Sequence, residues 1–362
     1  MKIRRPQAAS RKPQTGEFMN EIDIISSGYK ELFGESDFQI VALPQSGSDR
    51  KYFRIKSADR SVIGAHNPNH EENEAFIGFT KHFITKGLPV PEIFGYLPGK
   101  FIYFLQDLGD DNLYTWLHKK PDIFVSENAT KDLYRKILDK LILFQIKGIE
   151  GLNLELCYPH KSFDRQSMMW DLNYFKYMLL KLLAVPFSER QVEYDFNILC
   201  DYLLDTGQDY FLYRDFQTAN VMIVGEEPWF IDYQGGRKGA PQYDVASLLY
   251  DAKIPMSEET REELLNYYIE KFCAVSKEDI HKFRGYYSGF SMIRLMQALG
   301  AFGFRGLYEQ KPTFTDSIVP GVTLLLQIIN SAEDHIKLPE LFRTIREIPN
   351  TPKFFNLSSG NH

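Results

Sequence analysis

From Asn20 to Phe33, apolar residues return at Ile22, Ile25, Tyr29 and Leu32, the spacing of one face of an α-helix. The period then changes. Residues 38–43, 51–56 and 61–66 are short β-rich runs with tight links, and they predict three strands. Residues 69–86 return to helical spacing, with Ala75, Phe76, Phe79 and Phe83 on one side, and Pro89 and Pro91 end that helix. Residues 93–97 and 101–106 complete a small sheet of five strands. Beyond the polar stretch 107–112, helical periods dominate: 131–146, 168–183, 191–204, 242–250, 258–272, 277–303 and 314–329. Gly285, Gly289, Gly300 and Gly303 fall in one of these stretches and imply close packing or a break near Gly303.

One hairpin interrupts the helices. Residues 221–224 and 229–231 are β-rich, with Glu226-Glu227-Pro228 read as the turn between them. Tyr213-Arg214-Asp215-Phe216-Gln217-Thr218-Ala219-Asn220 leads into this hairpin, and Ile231-Asp232-Tyr233 leaves it. A hairpin brings its two ends together. Asn220 and Asp232 can then offer oxygens to one hard cation, and Mg²⁺ keeps water and phosphate oxygens in its remaining positions. Asp215 is left beside the metal-bound phosphate as a carboxylate able to accept the proton of an attacking hydroxyl. That division of labour predicts phosphoryl transfer from a nucleotide. A second loop fits the same chemistry: Pro44-Gln45-Ser46-Gly47-Ser48-Asp49-Arg50 joins two strands, and small residues there expose N–H groups that can cradle phosphates.

Composition narrows the picture. A chain of 362 residues, 44% of them hydrophobic, suffices for a large core and predicts two lobes. The fold class expected is α+β. The boundaries read from the pattern are a basic tail or leader over 1–18, an N-lobe over 19–107 with the phosphate loop, and a C-lobe over 108–362 with the catalytic and acceptor residues. A net charge of −6 argues against a nucleic-acid partner. Cys157, Cys200 and Cys273 are few and widely separated, with no C-x-x-C pair, which suits a reducing, cytoplasmic setting. No apolar run approaches the roughly 20 residues that span a membrane. The partner expected is a small-molecule substrate, and the oligomeric state stays open.

The chain resembles the aminoglycoside phosphotransferase and choline kinase branch of the protein-kinase-like fold. The resemblance runs from about Gln39 to the last helices and rests on Ser46-Gly47-Ser48, Glu74, Asp107-Leu108-Gly109, residues 213–220, Ile231-Asp232-Tyr233 and Pro241-Gln242-Tyr243-Asp244. Three stretches are most similar to bacterial kinases of the anomeric hydroxyl of cell-wall amino sugars: residues 48–54, 232–237 and 243–249. The resemblance implies a two-lobed kinase-like fold, ATP and Mg²⁺ as cofactors, Asp215 as base, and Asn220 and Asp232 as metal ligands. It implies that Ser46, Gly47 and Ser48 cover the nucleotide phosphates, and that the backbone of Gln106, Asp107 and Leu108 meets the adenine edge. Asp244 and Arg214 are structural supports of the catalytic loop. Glu74 matches the helix glutamate that pairs with a phosphate-binding lysine.

Two departures stand out. Tyr213 occupies the place of the family's usual histidine, a residue that supports the loop backbone. The strand Ser61-Val62-Ile63-Gly64-Ala65-His66 lacks the lysine of the general kinase pattern. Lys51, Arg50 or Arg54 can supply the phosphate cation instead, and His66 is a weaker substitute. A non-catalytic nucleotide-binding protein is the alternative that this absence motivates.

The acceptor is read from the residues after Asp232. Gly235 and Gly236 let the backbone approach a ligand, and Gln234 offers both a donor and an acceptor to sugar hydroxyls. Arg237 and Lys238 bring positive charge, which suits a neutral or acidic sugar better than cationic aminoglycosides or choline. Glu226, Glu227, Asp251, Glu258 and Glu259 are read as solvated surface charge rather than as a cation-binding cluster.

Overall fold

The computed structural model describes residues 20–44, 50–119 and 128–359. The chain divides into two compact units, Met1–Pro68 with Gly95–Phe104, and Asn69–Phe94 with Leu105–His362.

The first unit opens with α1 (Glu21–Phe33). The Asn20 side chain caps its N-terminus, and Gly34, with a positive φ, turns the chain at its end. The sheet comes next: β1 (Gln39–Ala42), β2 (Lys51–Lys56), β3 (Ser61–His66), β4 (Ile93–Leu97) and β5 (Ile102–Gln106), in the order β1-β2-β3-β5-β4. β1, β2 and β3 form an antiparallel meander with Ile40 opposite Ile55 and Phe53 opposite Gly64. Ile25 and Tyr29 of α1 pack with Phe53, Ile55, Val62, Ile102 and Phe104 to make the core of this unit. Alternation along β2 therefore puts Lys51 on the face covered by α1, and Tyr52 and Arg54 on the opposite face.

The next helix, α2 (His70–Thr85), belongs to the second unit, although the sequence pattern assigns it to the N-lobe. The reason is its aromatic stripe. Phe76 stacks on Tyr233 with ring centroids 5.1 Å apart, Phe83 meets Phe211 edge-on, and Thr80 shares a 2.6 Å hydrogen bond with the Tyr233 hydroxyl. These partners lie in segments flanking the central hairpin, so α2 fixes the backbone on either side of it.

The rest of the second unit is mostly helical. Asn112 and Thr115 form a reciprocal cap on α3 (Leu113–His118), and α4 (Asn128–Ile146) lies beyond it. α5 (Arg165–Phe175) is capped by Asp164 and runs into a π-helical turn at Lys176–Leu180, and α6 (Glu189–Leu204) comes next. The hairpin region holds β6 (Tyr210–Leu212), β7 (Val221–Val224), β8 (Glu227–Phe230) and β9 (Arg237–Gly239). The helices α7 (Gln242–Leu249), α8 (Glu258–Ser276), α9 (Ile280–Phe302), α10 (Pro312–Thr315), α11 (Ile318–Ala332), α12 (Pro339–Glu347) and α13 (Pro352–Ser358) complete the unit. α9 packs against α5, α7 and α11, and their apolar faces form one core.

Several boundaries differ from the sequence pattern. The hairpin turn is Gly225-Glu226, both with φ > 0, so Glu227 and Pro228 begin β8 instead of forming the turn. α9 does break at Gly303, into a π-helical turn at Gly303–Tyr308, and it also packs closely there. A Cβ on Gly303 would lie 1.9 Å from the Met178 carbonyl oxygen. Contrary to the reading that no apolar run approaches a membrane-spanning length, Pro312–Ala332 is, among the described residues, long and apolar enough to cross a membrane, because its few polar residues are spread thinly along it. It comprises α10 and α11, and Ile318, Val322, Leu325 and Ile329 of α11 lie in the core of the second unit.

Candidate active site

The site grows from two antiparallel pairs. β6 pairs with β9, Leu212 opposite Arg237, and β7 pairs with β8, Val221 opposite Phe230. The chain leaving β6 makes the loop 213–220. The chain leaving β8 makes Ile231-Asp232-Tyr233. The Ile231 N–H donates to the Asn220 carbonyl at 3.1 Å, and the Tyr213 hydroxyl donates to the Ile231 carbonyl at 2.6 Å. Tyr213, wholly buried, thus ties the two segments together.

The loop is braced from α7 and α5. The two oxygens of Asp244 accept the Tyr213 N–H at 2.7 Å and the Arg214 N–H at 3.0 Å. Burial pushes the Asp244 carboxyl up, to about 7, while these two donors and the charge of Arg294 pull it back. Arg214 sits at φ 80°, a left-handed conformation that a non-glycine residue adopts at a cost. Its guanidinium forms a fork with Asp171, at 2.6 and 2.8 Å, and bonds the Tyr243 hydroxyl. Burial opposes the Arg214 charge, but the Asp171 carboxylate outweighs it and raises the pKa. Thr218 is anchored through both its N–H and its hydroxyl to Asp251. Asp251 is buried, so it braces the loop and is not the surface charge that the sequence pattern suggests.

Within this frame Asp215, Asn220 and Asp232 come together. The Asp215 carbonyl accepts the Gln217 N–H and the Asn220 side-chain amide, each at 2.9 Å. The same amide nitrogen lies 3.3 Å from Oδ2 of Asp232, which leaves Oδ1 of Asn220 outside these bonds. Asp232, at φ 69°, receives the Gln234 amide on its other oxygen at 2.7 Å. Oε1 of Gln234 is buried with no hydrogen-bond partner among the described residues. The Asp215 side chain is 46% exposed, with Nη2 of Arg294 at 4.0 Å.

A divalent cation can be tested against this donor set. Asn220 and Asp232 supply a carboxamide oxygen and a carboxylate, the hard oxygens that Mg²⁺ takes, and the orphaned oxygen of Gln234 adds a third acceptor beside them. Among the described residues there is no group of three or more His, Cys, Asp or Glu of the kind that closes around a metal. The residues present fit a cation that keeps most of its coordination sphere for water and phosphate.

Of the other expected site residues, Ser46, Gly47 and Ser48 lie outside the described residues. Nζ of Lys51 pairs with Glu21 of α1 at 2.5 Å, and His66, directly opposite Lys51 in the sheet, shares that face. Nη1 of Arg50 donates to the Tyr52 hydroxyl at 3.0 Å. The Gln106 N–H and side chain are tied to Glu92, and Asp107 accepts the Gly109 N–H. Glu74 lies 3.7 Å from His70 in its own helix.

Arg237, expected to face the acceptor, lies buried at the start of β9. It is 5% exposed, and its guanidinium donates to the carbonyls of Gly235 and Tyr158. Burial, and then the charge of Arg214, pull its pKa down to about 10. These bonds to two backbone carbonyls hold the 235–237 turn.

Asp171 and Arg294 join the site without being marked by any motif, and Ser247 joins it from within the 243–249 stretch, where the sequence pattern assigns it no role of its own. Both charges carry a signal in the chain: Asp171 and Arg294 are lone charges within apolar stretches, between Met168 and Leu172 and between Ile293 and Leu295. A charge on the buried side of a helix needs a polar neighbour there.

The sequence pattern of the phosphotransferase enzyme family matches residues 39–286, a span that contains the hairpin, α5 and α7. The chain belongs to this phosphotransferase family. It is 26% identical over 284 residues to the N-acetylmuramate/N-acetylglucosamine kinase of Neisseria meningitidis, covering 76% of this chain and 81% of that one. Among solved structures, a candidate aminoglycoside phosphotransferase of Ralstonia eutropha superimposes with a TM-score of 0.62 at 9% identity, covering 87% of this chain and 99% of that one. Choline kinase of Cryptosporidium parvum gives 0.61 at 11% identity, covering 90% and 99%. These likenesses establish a kinase-like α+β fold. The loop 213–220 and its hairpin lie inside the span that the family pattern matches.

Proposed function

We propose that this phosphotransferase moves the γ-phosphoryl group of ATP to the anomeric hydroxyl of an N-acetyl amino sugar, in the presence of Mg²⁺. The observation that carries the reading is the juxtaposition of Asp215 with Asn220 and Asp232. It sets a half-exposed carboxylate beside a paired carboxamide and carboxylate. The sugar class rests on the likeness to the Neisseria kinase over most of both chains.

In this mechanism Asp215 orients the acceptor hydroxyl and accepts its proton as the oxygen attacks phosphorus. The new O–P bond forms as the bond to the bridging β,γ-oxygen breaks, and ADP departs. Asn220 and Asp232 would hold Mg²⁺, which when bound offsets charge on the phosphate oxygens. Asp244, Asp251 and the Arg214–Asp171 pair hold the loop still, so that little reorganisation accompanies transfer. Gln234, fixed through its amide, presents its free carbonyl oxygen to a ligand. Ser46, Gly47 and Ser48 take the nucleotide phosphates, and the backbone of Gln106 to Leu108 takes the adenine. The setting is cytoplasmic: all three cysteines are buried and unpaired, as suits a reducing compartment.

For the phosphate cation, the sheet favours Arg54 over Lys51, because α1 covers the Lys51 face and Glu21 occupies its ammonium. Arg54→Ala is therefore expected to raise the KM for ATP on the order of tenfold or more, the usual weight of a charged hydrogen bond. Lys51→Ala should change it by less than about threefold. Steady-state kinetics at saturating acceptor make the comparison, and equal effects would place the cation elsewhere.

The reading as a whole is tested by assigning the product phosphate by NMR. Phosphate on C1 of N-acetylglucosamine or N-acetylmuramate is the expected result. Phosphate on an aminoglycoside, on choline or on a non-anomeric hydroxyl would reject the acceptor and leave the kinase standing. ATP binding without transfer to any acceptor would favour the non-catalytic alternative that the missing β3 lysine raises.

A further inference from the structure

Arg294 is a buried cation with an unusual set of partners. It projects from the middle of α9 and is 7% exposed. Its Nε donates to Ser247 of α7 at 2.8 Å and its Nη1 to the side-chain oxygen of Gln297 at 2.8 Å. Both acceptors are neutral. Among the described residues the carboxylate nearest to it is Asp215, 4.0 Å from Nη2, which is beyond a direct hydrogen bond. The contrast with Arg214 is direct, because that arginine is similarly buried but neutralised by a two-point bond to Asp171. Burying a guanidinium without a bonded counter-charge is costly. Asp244 also feels this charge, but both its oxygens are taken by the Tyr213 and Arg214 N–H groups, so the arrangement around Arg294 is explained if a directly bonded counter-charge arrives with a ligand.

The location says which ligand. Arg294 lines a small cleft with Gln217, Ser247, Tyr250, Asp251, Ala298 and Phe302, where the Asp251 oxygens are already taken by Thr218 and the Lys253 N–H, and the edge of the guanidinium that faces Asp215 is the one bound to neither neutral partner. A sugar whose reacting hydroxyl lies on Asp215 would bring its other substituents to this guanidinium. A planar fork of N–H donors matches a carboxylate in geometry as well as in charge. Tyr250 and Phe302 supply apolar surface for a short alkyl stem.

We propose that Arg294 is a carboxylate subsite that selects acidic over neutral amino sugars. This rests on the anomeric-sugar reading above. N-acetylmuramate and N-acetylglucosamine differ by one lactyl ether, which carries the carboxylate, so the pair isolates the interaction. Ser247 and Gln297 then act as positioning residues that aim the guanidinium.

The test compares kcat/KM for N-acetylmuramate and N-acetylglucosamine in wild type, Arg294→Gln and Arg294→Lys. Arg294→Gln is expected to lower the value for the acidic sugar by about 10–100-fold, the range for a lost charged hydrogen bond. The change should sit mainly in KM and shift the ratio of the two sugars at least tenfold toward the neutral one. Arg294→Lys keeps the charge but loses the fork, and should shift the ratio by a few fold. It also carries the test if the glutamine variant does not fold. An equal fall for both sugars, or an unchanged ratio in every variant that folds, overturns the proposal and points to a role on phosphate or on Asp215. If wild type phosphorylates neither sugar, the anomeric-sugar reading fails and takes this inference with it.

Discussion

Asp215→Asn is expected to lower kcat by about two to four orders of magnitude while leaving ATP binding nearly intact. The reason lies in how the structure holds this residue. Its main chain is fixed by the Gln217 N–H and the Asn220 amide, neither of which needs the carboxylate. The side chain itself is 46% exposed and makes no short ion pair. Asparagine therefore preserves the loop, and the thermal midpoint should move little, since a contact at 4.0 Å to Arg294 in a half-solvated setting contributes at most about 1 kcal/mol. What is lost is the basic oxygen. An amide can still orient the acceptor hydroxyl but cannot take its proton. Single-turnover kinetics with an ATP dissociation constant measured beside them separate the two effects. Near-normal kcat in Asp215→Asn would remove the central loop from the chemistry altogether.

Much of this arrangement was legible in the chain because it is local. The hairpin, the placement of Asp215 and Asn220 before it and of Asp232 after it, and the five-stranded sheet all come from β-rich runs and turn residues close in sequence. The helices were legible to within a few residues wherever one apolar face is solvated. What escaped depends on long-range packing. α2 looks like part of the N-lobe by its position in the chain, yet its phenylalanines complete an aromatic cluster around Tyr233 and Phe211, more than a hundred residues away. Asp251 reads as one more surface acid until the buried Thr218 is seen to need it. Arg237 reads as a cation near the metal residues, but β9 turns its side chain inward onto two carbonyls. For Lys51 against Arg54, alternation said that the two differ, and only α1 said which face is covered. The π-helical turns that end α5 and α9 left one visible trace, the glycines at 300 and 303, whose missing side chains let the two helices touch.

Removing Asp232 should abolish the dependence of ATP binding on Mg²⁺. In calorimetry, wild type is expected to bind ATP more tightly with Mg²⁺ than with a chelator, and Asp232→Ala should bind it equally weakly in both. The alanine variant also removes a structural acceptor. It takes the acceptor from the buried Gln234 amide, at a cost of about 1–3 kcal/mol, and one of two acceptors from the buried Asn220 amide, which keeps the Asp215 carbonyl. Alanine at φ 69° adds strain as well. A general loss of folding could then mimic a loss of metal. Asp232→Asn resolves this. Asparagine tolerates the left-handed backbone and keeps an oxygen for one of the two amides, so it should melt close to wild type. It nevertheless replaces a carboxylate by a neutral group, and a divalent cation held by so few protein ligands cannot spare that charge. Asn220→Ala, which leaves the carboxylate in place, should instead raise the Mg²⁺ concentration needed for half-maximal rate. Folded Asp232→Asn with wild-type affinity for Mg²⁺-ATP would show that the metal is held by other groups, and the pairing of Asn220 with Asp232 would then be a structural clasp on the hairpin.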